Sequence, residues 1–210
     1  MALVREILRT NLNDLTLVSY GGADVGMLCA AGRVSKLIFA FVSLDFIPLE
    51  PFFRQARQSG KLDVLEIDEG MMLQGLRAAA WRIPFIPTAV GLGTDIIEKT
   101  SEIKMTNSPY DNKEWVAMPA LELDAALIHV DHADRRGVCQ ISGPDHYMDD
   151  WFARAAQNTI VSCDELVPES FFNDENAARQ VFWERAVTDS VVLIVGGAHP
   201  SSCAPLYGFD

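Results

Sequence analysis

Residues 62–95 read LDVLEIDEGMMLQGLRAAAWRIPFIPTAVGLGTD, and this stretch decides the fold. Leu62 to Ile67 is a short apolar run that predicts a buried strand, and Asp68-Glu69-Gly70 is an acidic turn. Met71 to Arg82 carries helical spacing, and Phe85 to Pro87 predicts a second strand that breaks into the glycine loop around Gly91 and Gly93. Strand, turn, helix and strand in this order is the unit of an α/β protein, whose ligands sit outside the carboxyl ends of its strands. The expectation is that Glu69, Gly91 and Gly93 share one rim of one sheet.

The same alternation extends outward in both directions. Upstream, Leu3–Arg9 predicts a helix, Leu15–Tyr20 a strand ending at Gly21-Gly22, Ala23–Ala31 a helix, Lys36–Val42 a strand and Leu49–Ser59 a helix closed by Gly60. Downstream, Thr94 to Glu114 is polar and aperiodic, an excursion over the rim. Trp115–Met118, Ala125–Val130, Cys139–Ile141, Thr159–Cys163 and Val191–Val195 predict further strands, and Met148–Gln157 a helix. Strands separated by helices imply parallel pairing through crossover connections, and thus an open, mostly parallel sheet with helices on both faces. Residues 1–210 read as a single α/β domain.

Composition narrows the function classes. With 210 residues, 49% of them hydrophobic, the chain can bury a full core. A net charge of -12 argues against a phosphate backbone as partner, so nucleic acid is not expected. No run approaches the roughly 18 apolar residues that span a bilayer, and no targeting segment is visible, so a cytoplasmic protein with no membrane partner is expected. Cys29, Cys139, Cys163 and Cys203 lie far apart, without metal-type spacing, and read as reduced thiols.

Taken in order, the runs DLTLVSYGGADVGMLCAAGRVSKLIFAFVSLD, FFRQARQSGKLDVLEIDEG, IPFIPTAVGLGTD, MPALELDAALIHVDHADRRG and GGAHPSSCAPLYG resemble the α-type subunit of class I CoA-transferases. The likeness is nearest to glutaconate CoA-transferase α-like proteins and to the ring-opening CoA-ester hydrolase of bacterial steroid degradation. It implies an α/β core, coenzyme A as part of a thioester substrate with no further cofactor, and a β-type partner subunit in a heterodimer or heterotetramer. It also implies a further strand with a glycine-rich loop ahead of the first helix. That element is absent here, and the chain reads as incomplete at both ends.

In such transferases a glutamate in a Glu-Asn-Gly-like turn, on the β-type chain, attacks the thioester. No Glu-Asn-Gly occurs here, and the related position reads Val42-Ser43-Leu44-Asp45. The chain alone is therefore expected not to transfer CoA. The resemblance instead maps a hydrolytic glutamate to Glu69, a general base, with Gly70 offering its N–H to a developing oxyanion. By their placement after strands or in glycine-flanked loops, Gly21, Gly22, Ser43, Gly91, Gly93 and His199 are the candidate substrate or CoA contacts, with Tyr20 and Asp45 near the same crevice. A non-catalytic, pocket-shaping subunit is the reading from another class.

Each candidate has a plainer counterpart. Asp68-Glu69 also fits a helix cap with first-turn acids, and glycine loops form without ligands. His129 alternates with apolar residues and reads as core, while His132 starts a turn; no third ligand follows at zinc spacing, so no metal is expected. His199, between Gly196-Gly197-Ala198 and Pro200, fits a fixed loop as well as a substrate contact, and Cys203 lacks a base partner. Trp151-Phe152, Phe171-Phe172 and Phe182-Trp183 suit a core or a subunit interface. Arg33, Lys36, Arg54 and Arg57 are placed to meet CoA phosphates or to lie solvated on helices.

Overall fold

The computed structural model describes residues 1–44, 49–144 and 146–209. Asp45 lies outside the described residues. The chain divides into two compact units, one built from 7–121 and the other from 1–6 together with 122–210, and helix α1 (Ala2–Arg9) runs from the second into the first.

In the 7–121 unit, β1 (Leu15–Gly21), α2 (Ala23–Ala30), β2 (Val34–Val42), α3 (Pro51–Gln58) and β3 (Asp63–Glu66) follow one another as the alternation predicts. The strands pair in parallel in the order β1-β2-β3. Val25, Leu37, Phe39, Val42, Phe53 and Leu62 are buried together beneath α2 and α3, and the Phe39 and Phe53 rings meet edge to face at 5.1 Å. Helix α3 begins at Pro51 because Pro supplies the first helical φ and the buried Glu50 caps Phe53 N–H at 2.6 Å. Gly26 of α2 makes room for that carboxylate, since a Cβ there would lie 2.1 Å from Glu50 Cδ.

Helix α4 spans Glu69–Ala80, starting two residues before the apolar periodicity suggests. Asp68 is its N-cap, accepting from Gly70 N–H at 2.7 Å. Met71, Met72, Leu76, Ala78 and Ala79 are all buried, which is why the helix reads so clearly in sequence.

Beyond α4 the parallel pattern stops. β4 (Phe85–Thr88) pairs antiparallel with β6 (Glu114–Pro119), which also pairs antiparallel with β5 (Lys104–Asn107). The expected excursion at 94–114 contains α5 (Asp95–Lys99) and β5. Both elements are largely exposed, so neither carries the apolar periodicity that makes an element legible. Because the chain returns through a hairpin instead of a crossover helix, β4 lies outside the β1-β2-β3 sheet. Glu69 and the Gly91 loop thus follow strands of different sheets, a correction to the single rim expected.

In the other unit, β7 (Leu123–Ala133), β8 (Cys139–Gln140), α6 (Asp149–Ala155), β9 (Ala156–Leu166), α7 (Glu175–Arg179) and β10 (Ser190–Leu193) form a sheet in the order β10-β9-β7-β8. β7, β9 and β10 are parallel, and only β8 runs against its neighbour. Ile128, Val130, Val161 and Cys163 point into a core closed by Trp183, whose indole N–H donates to Thr188 Oγ1 at 3.0 Å. α6 passes into β9 without a loop, so residues expected to prolong the helix, Ala156 and Gln157, begin the strand. All four cysteines are free. Among the described residues no helix is long and apolar enough to cross a membrane.

Candidate active site

The carboxyl ends of β1 and β2, the start of α4 and the loop after β4 converge within the 7–121 unit. At β1, Gly21 O accepts from Ser43 N–H at 3.3 Å. A Cβ on Gly22 would fall 1.9 Å from Ser43 O, so Gly22 is required by the close passage of two chains. Among the described residues no side chain caps the N-terminus of α2.

The first turn of α4 packs against the loop at 89–94. A Cβ on Gly70 would touch both Val90 methyls at 3.2–3.3 Å, and one on Gly91 would meet Met71 Sδ at 3.0 Å. Gly91 and Gly93 take φ of 88° and 72°, the left-handed conformations glycine permits. Gly91 O is held by Thr94 Oγ1 at 2.8 Å. Gly93 faces open space.

Glu69 stands where these segments meet, exposed at the head of α4. Its Oε2 accepts from the Tyr20 hydroxyl at 2.9 Å, a contact spanning 49 residues of sequence. Oε1 has no hydrogen-bond partner among the described residues. The Gly70 N–H, the expected oxyanion donor, is donated to Asp68 Oδ1 at 2.7 Å in this structure. The positive end of the α4 dipole lies beside the Glu69 carboxylate.

The four cationic candidates differ in their engagement. Arg33 donates to the carbonyls of Leu8, Thr10 and Leu12, bracing the turn into β1. Lys36 pairs with Glu102 at 2.7 Å, and that hydrogen bond raises its pKa. Arg57 pairs with Glu66 at 2.6 Å and lies over the Phe39 ring. Arg54 is exposed.

His199 belongs to the other unit, after β10. Its ring stacks on Tyr207 at 4.4 Å, and its carbonyl accepts from Arg5 at 2.8 Å. Beside it lies a polar knot that sequence reasoning missed. His129 and Ser162 are direct partners across β7 and β9, and His129 Nδ1 meets Ser162 Oγ at 2.9 Å. His129 Nε2 meets Asp164 Oδ2 at 2.9 Å, while Asp164 also accepts from Tyr207 O–H at 3.0 Å and Gly196 N–H at 2.5 Å. Gly197 is glycine because a Cβ there would lie 2.6 Å from the His129 ring.

Serine, imidazole and carboxylate in a row suggest a nucleophilic relay, but Ser162 is 1% exposed, out of reach of any substrate. Burial pushes the His129 pKa down against the pull of Asp164, so the imidazole is neutral, with Nε2–H donating to the carboxylate. Burial opposes the charge on Asp164, yet its donors hold its pKa below the usual carboxylate range. His129, Asp164 and Cys203 bring ligand atoms within 4.8 Å of one another. Each already has a protein partner, the Cys203 thiol donating to Asp131 at 2.9 Å. Burial and the neighbouring Asp131 raise the Cys203 pKa and keep that proton in place. The knot holds the 196–207 loop on its sheet. Alternating polar residues at Ser162 and Asp164 of β9 were its one visible sign; Tyr207 carried none.

The family model described as coenzyme A transferase matches residues 1–194. The chain is 41% identical over 217 aligned residues to the cholesterol ring-cleaving hydrolase IpdA subunit of Rhodococcus jostii, covering all of this chain and 73% of that protein. Among solved structures, glutaconate coenzyme A-transferase from Acidaminococcus fermentans superposes with a TM-score of 0.92 at 28% identity, covering 100% of this chain and 71% of that one. The decarboxylase AibA/AibB superposes with a TM-score of 0.86 at 29% identity, covering 100% and 78%.

Proposed function

The chain belongs to the coenzyme A transferase family, and we propose that it is the α-type subunit of a heteromeric enzyme that opens a cyclic β-diketo acyl-CoA by hydrolysis, with Glu69 as general base. The observation that carries this reading is Glu69 itself, a carboxylate at the meeting point of three strand ends, with one oxygen held and the other open. The 41% identity to a ring-cleaving subunit supports the hydrolytic chemistry.

In this mechanism Glu69 Oε1 takes a proton from water while the oxygen adds to one ring carbonyl. The bond from that carbon to the central carbon of the diketone then breaks. Its electron pair passes to the second carbonyl as an enolate, and the protonated Glu69 returns its proton to carbon. Coenzyme A is part of the substrate, and no further cofactor is needed for this sequence. Ser43, Gly21, Gly22, Gly91 and Gly93 provide the surface for the thioester. His199, stacked on Tyr207, is assigned to the structural knot and not to substrate. A β-type subunit supplies the rest of the pocket in a heterodimer or heterotetramer, and the assembly works in the cytoplasm.

The second reading is CoA transfer by a glutamate on the partner, favoured by the likeness to glutaconate coenzyme A-transferase. Glu69→Gln in the reconstituted complex tests the first. It should lower the rate of ring opening by more than about 100-fold. A rate within a few-fold of the parent refutes Glu69 as base. Borohydride reduction in the presence of acyl-CoA tests the second, since a modified partner glutamate identifies a transferase.

A further inference from the structure

We infer that Tyr20 is a positioning residue for Glu69, an inference that rests on Glu69 being the base. The backbone prepares this contact. The β1-β2 register slips between Ser19 and Tyr20, so that Ser19 pairs with Phe39 while Tyr20 pairs with Phe41. Such an irregularity re-aims the side chains that follow it. Ser19 turns inward, buried, and donates to Asp24 at 2.7 Å. Tyr20 is laid against the Phe41 ring, with centroids 5.6 Å apart. That packing anchors the phenol, whose hydroxyl reaches across to α4 and donates to Glu69 Oε2 at 2.9 Å.

A glutamate at an exposed helix start has three free torsions, and among the described residues no cation is paired with it. The Tyr20 hydroxyl restricts that freedom. By holding Oε2 it fixes the carboxylate and leaves Oε1 for the proton it must remove. Holding a catalytic group in its reactive geometry lowers the barrier without adding a chemical step. In this assignment Tyr20 exchanges no proton with substrate and acts through Glu69.

The test is a double-mutant cycle in the assembled complex, with a cyclohexane-1,3-dione bearing a propionyl-CoA side chain as probe substrate. Tyr20→Phe keeps the ring against Phe41 and removes only the hydroxyl, so the thermal midpoint should not change. The expected result is a fall in kcat of about tenfold with KM within about twofold, the pattern of an interaction made in the transition state. In the Glu69→Gln background, Tyr20→Phe should cause no further loss, because the two act as a unit. If Glu69→Gln abolishes turnover but Tyr20→Phe is as fast as the parent, the Tyr20 assignment is wrong and the Glu69 one stands. An equal loss in both backgrounds makes Tyr20 structural and overturns the inference. If Glu69→Gln remains active, both readings fall together.

Discussion

Asp164→Asn should destabilise the unit formed by 1–6 and 122–210, and the penalty should depend on pH in one direction. In the parent, Asp164 accepts from His129 Nε2, Tyr207 O–H and Gly196 N–H, at 2.9, 3.0 and 2.5 Å. Asparagine must turn its NH2 toward at least one of these donors, leaving two donors face to face in a site only 7% exposed at the side chain. Hydrogen bonds to a charged group contribute about 1.5–3 kcal/mol each, and breaking a buried pair costs about 3–5 kcal/mol, so a loss of roughly 3 kcal/mol is expected near pH 7. Because the folded-state pKa of Asp164 is depressed, the unfolded chain binds the proton first as pH falls. The contribution is therefore complete above the unfolded value of about 3.9 and disappears as pH drops through the folded value. Urea denaturation followed by the fluorescence of Trp151 and Trp183, both in this unit, measures the difference between pH 7 and pH 3. The gap between variant and parent should narrow steadily below about pH 4. A gap below about 0.5 kcal/mol at neutral pH, or one that persists unchanged in acid, refutes the account of the knot.

Two other perturbations probe the rim and the core. Gly22→Ala places a Cβ 1.9 Å from Ser43 O, a backbone atom that cannot swing aside, and should lower stability by about 3 kcal/mol and reduce turnover with it; a thermal midpoint equal to the parent's contradicts the close passage. Burial raises the Cys139 thiol to a pKa of about 12, so at pH 8 it should resist a disulfide reagent in the folded protein and react promptly in urea. Rapid labelling of the native protein at Cys139 argues against the packing of its sheet.

The legible parts of this molecule are those where burial imposed a period. β1 through α4 could be read because Leu37, Phe39, Phe53, Met71 and Leu76 recur at strand or helix spacing, and each is buried. β5 could not, because Lys104, Met105 and Asn107 are exposed and no packing constrains their order. The antiparallel pairing of β4 depended on where the chain went next, through a hairpin that local pattern does not encode.

The candidate site divides in the same way. The order of residues alone determined an acidic turn after a strand, a glycine loop after the next, and the family to which that series belongs, because local conformation and hydrophobic period are written in neighbouring positions. Only the tertiary structure decided which groups meet. It took the Gly70 N–H for Asp68, set Val90 and Gly91 against the first turn of α4, and carried the Tyr20 hydroxyl to Glu69. It also joined His129, Ser162, Asp164 and Tyr207, which stand as far as 78 residues apart, into one hydrogen-bonded knot. Such contacts arise from the pairing register of strands and the packing of helices on them, and a one-residue slip in either would separate partners that the chain order never placed together.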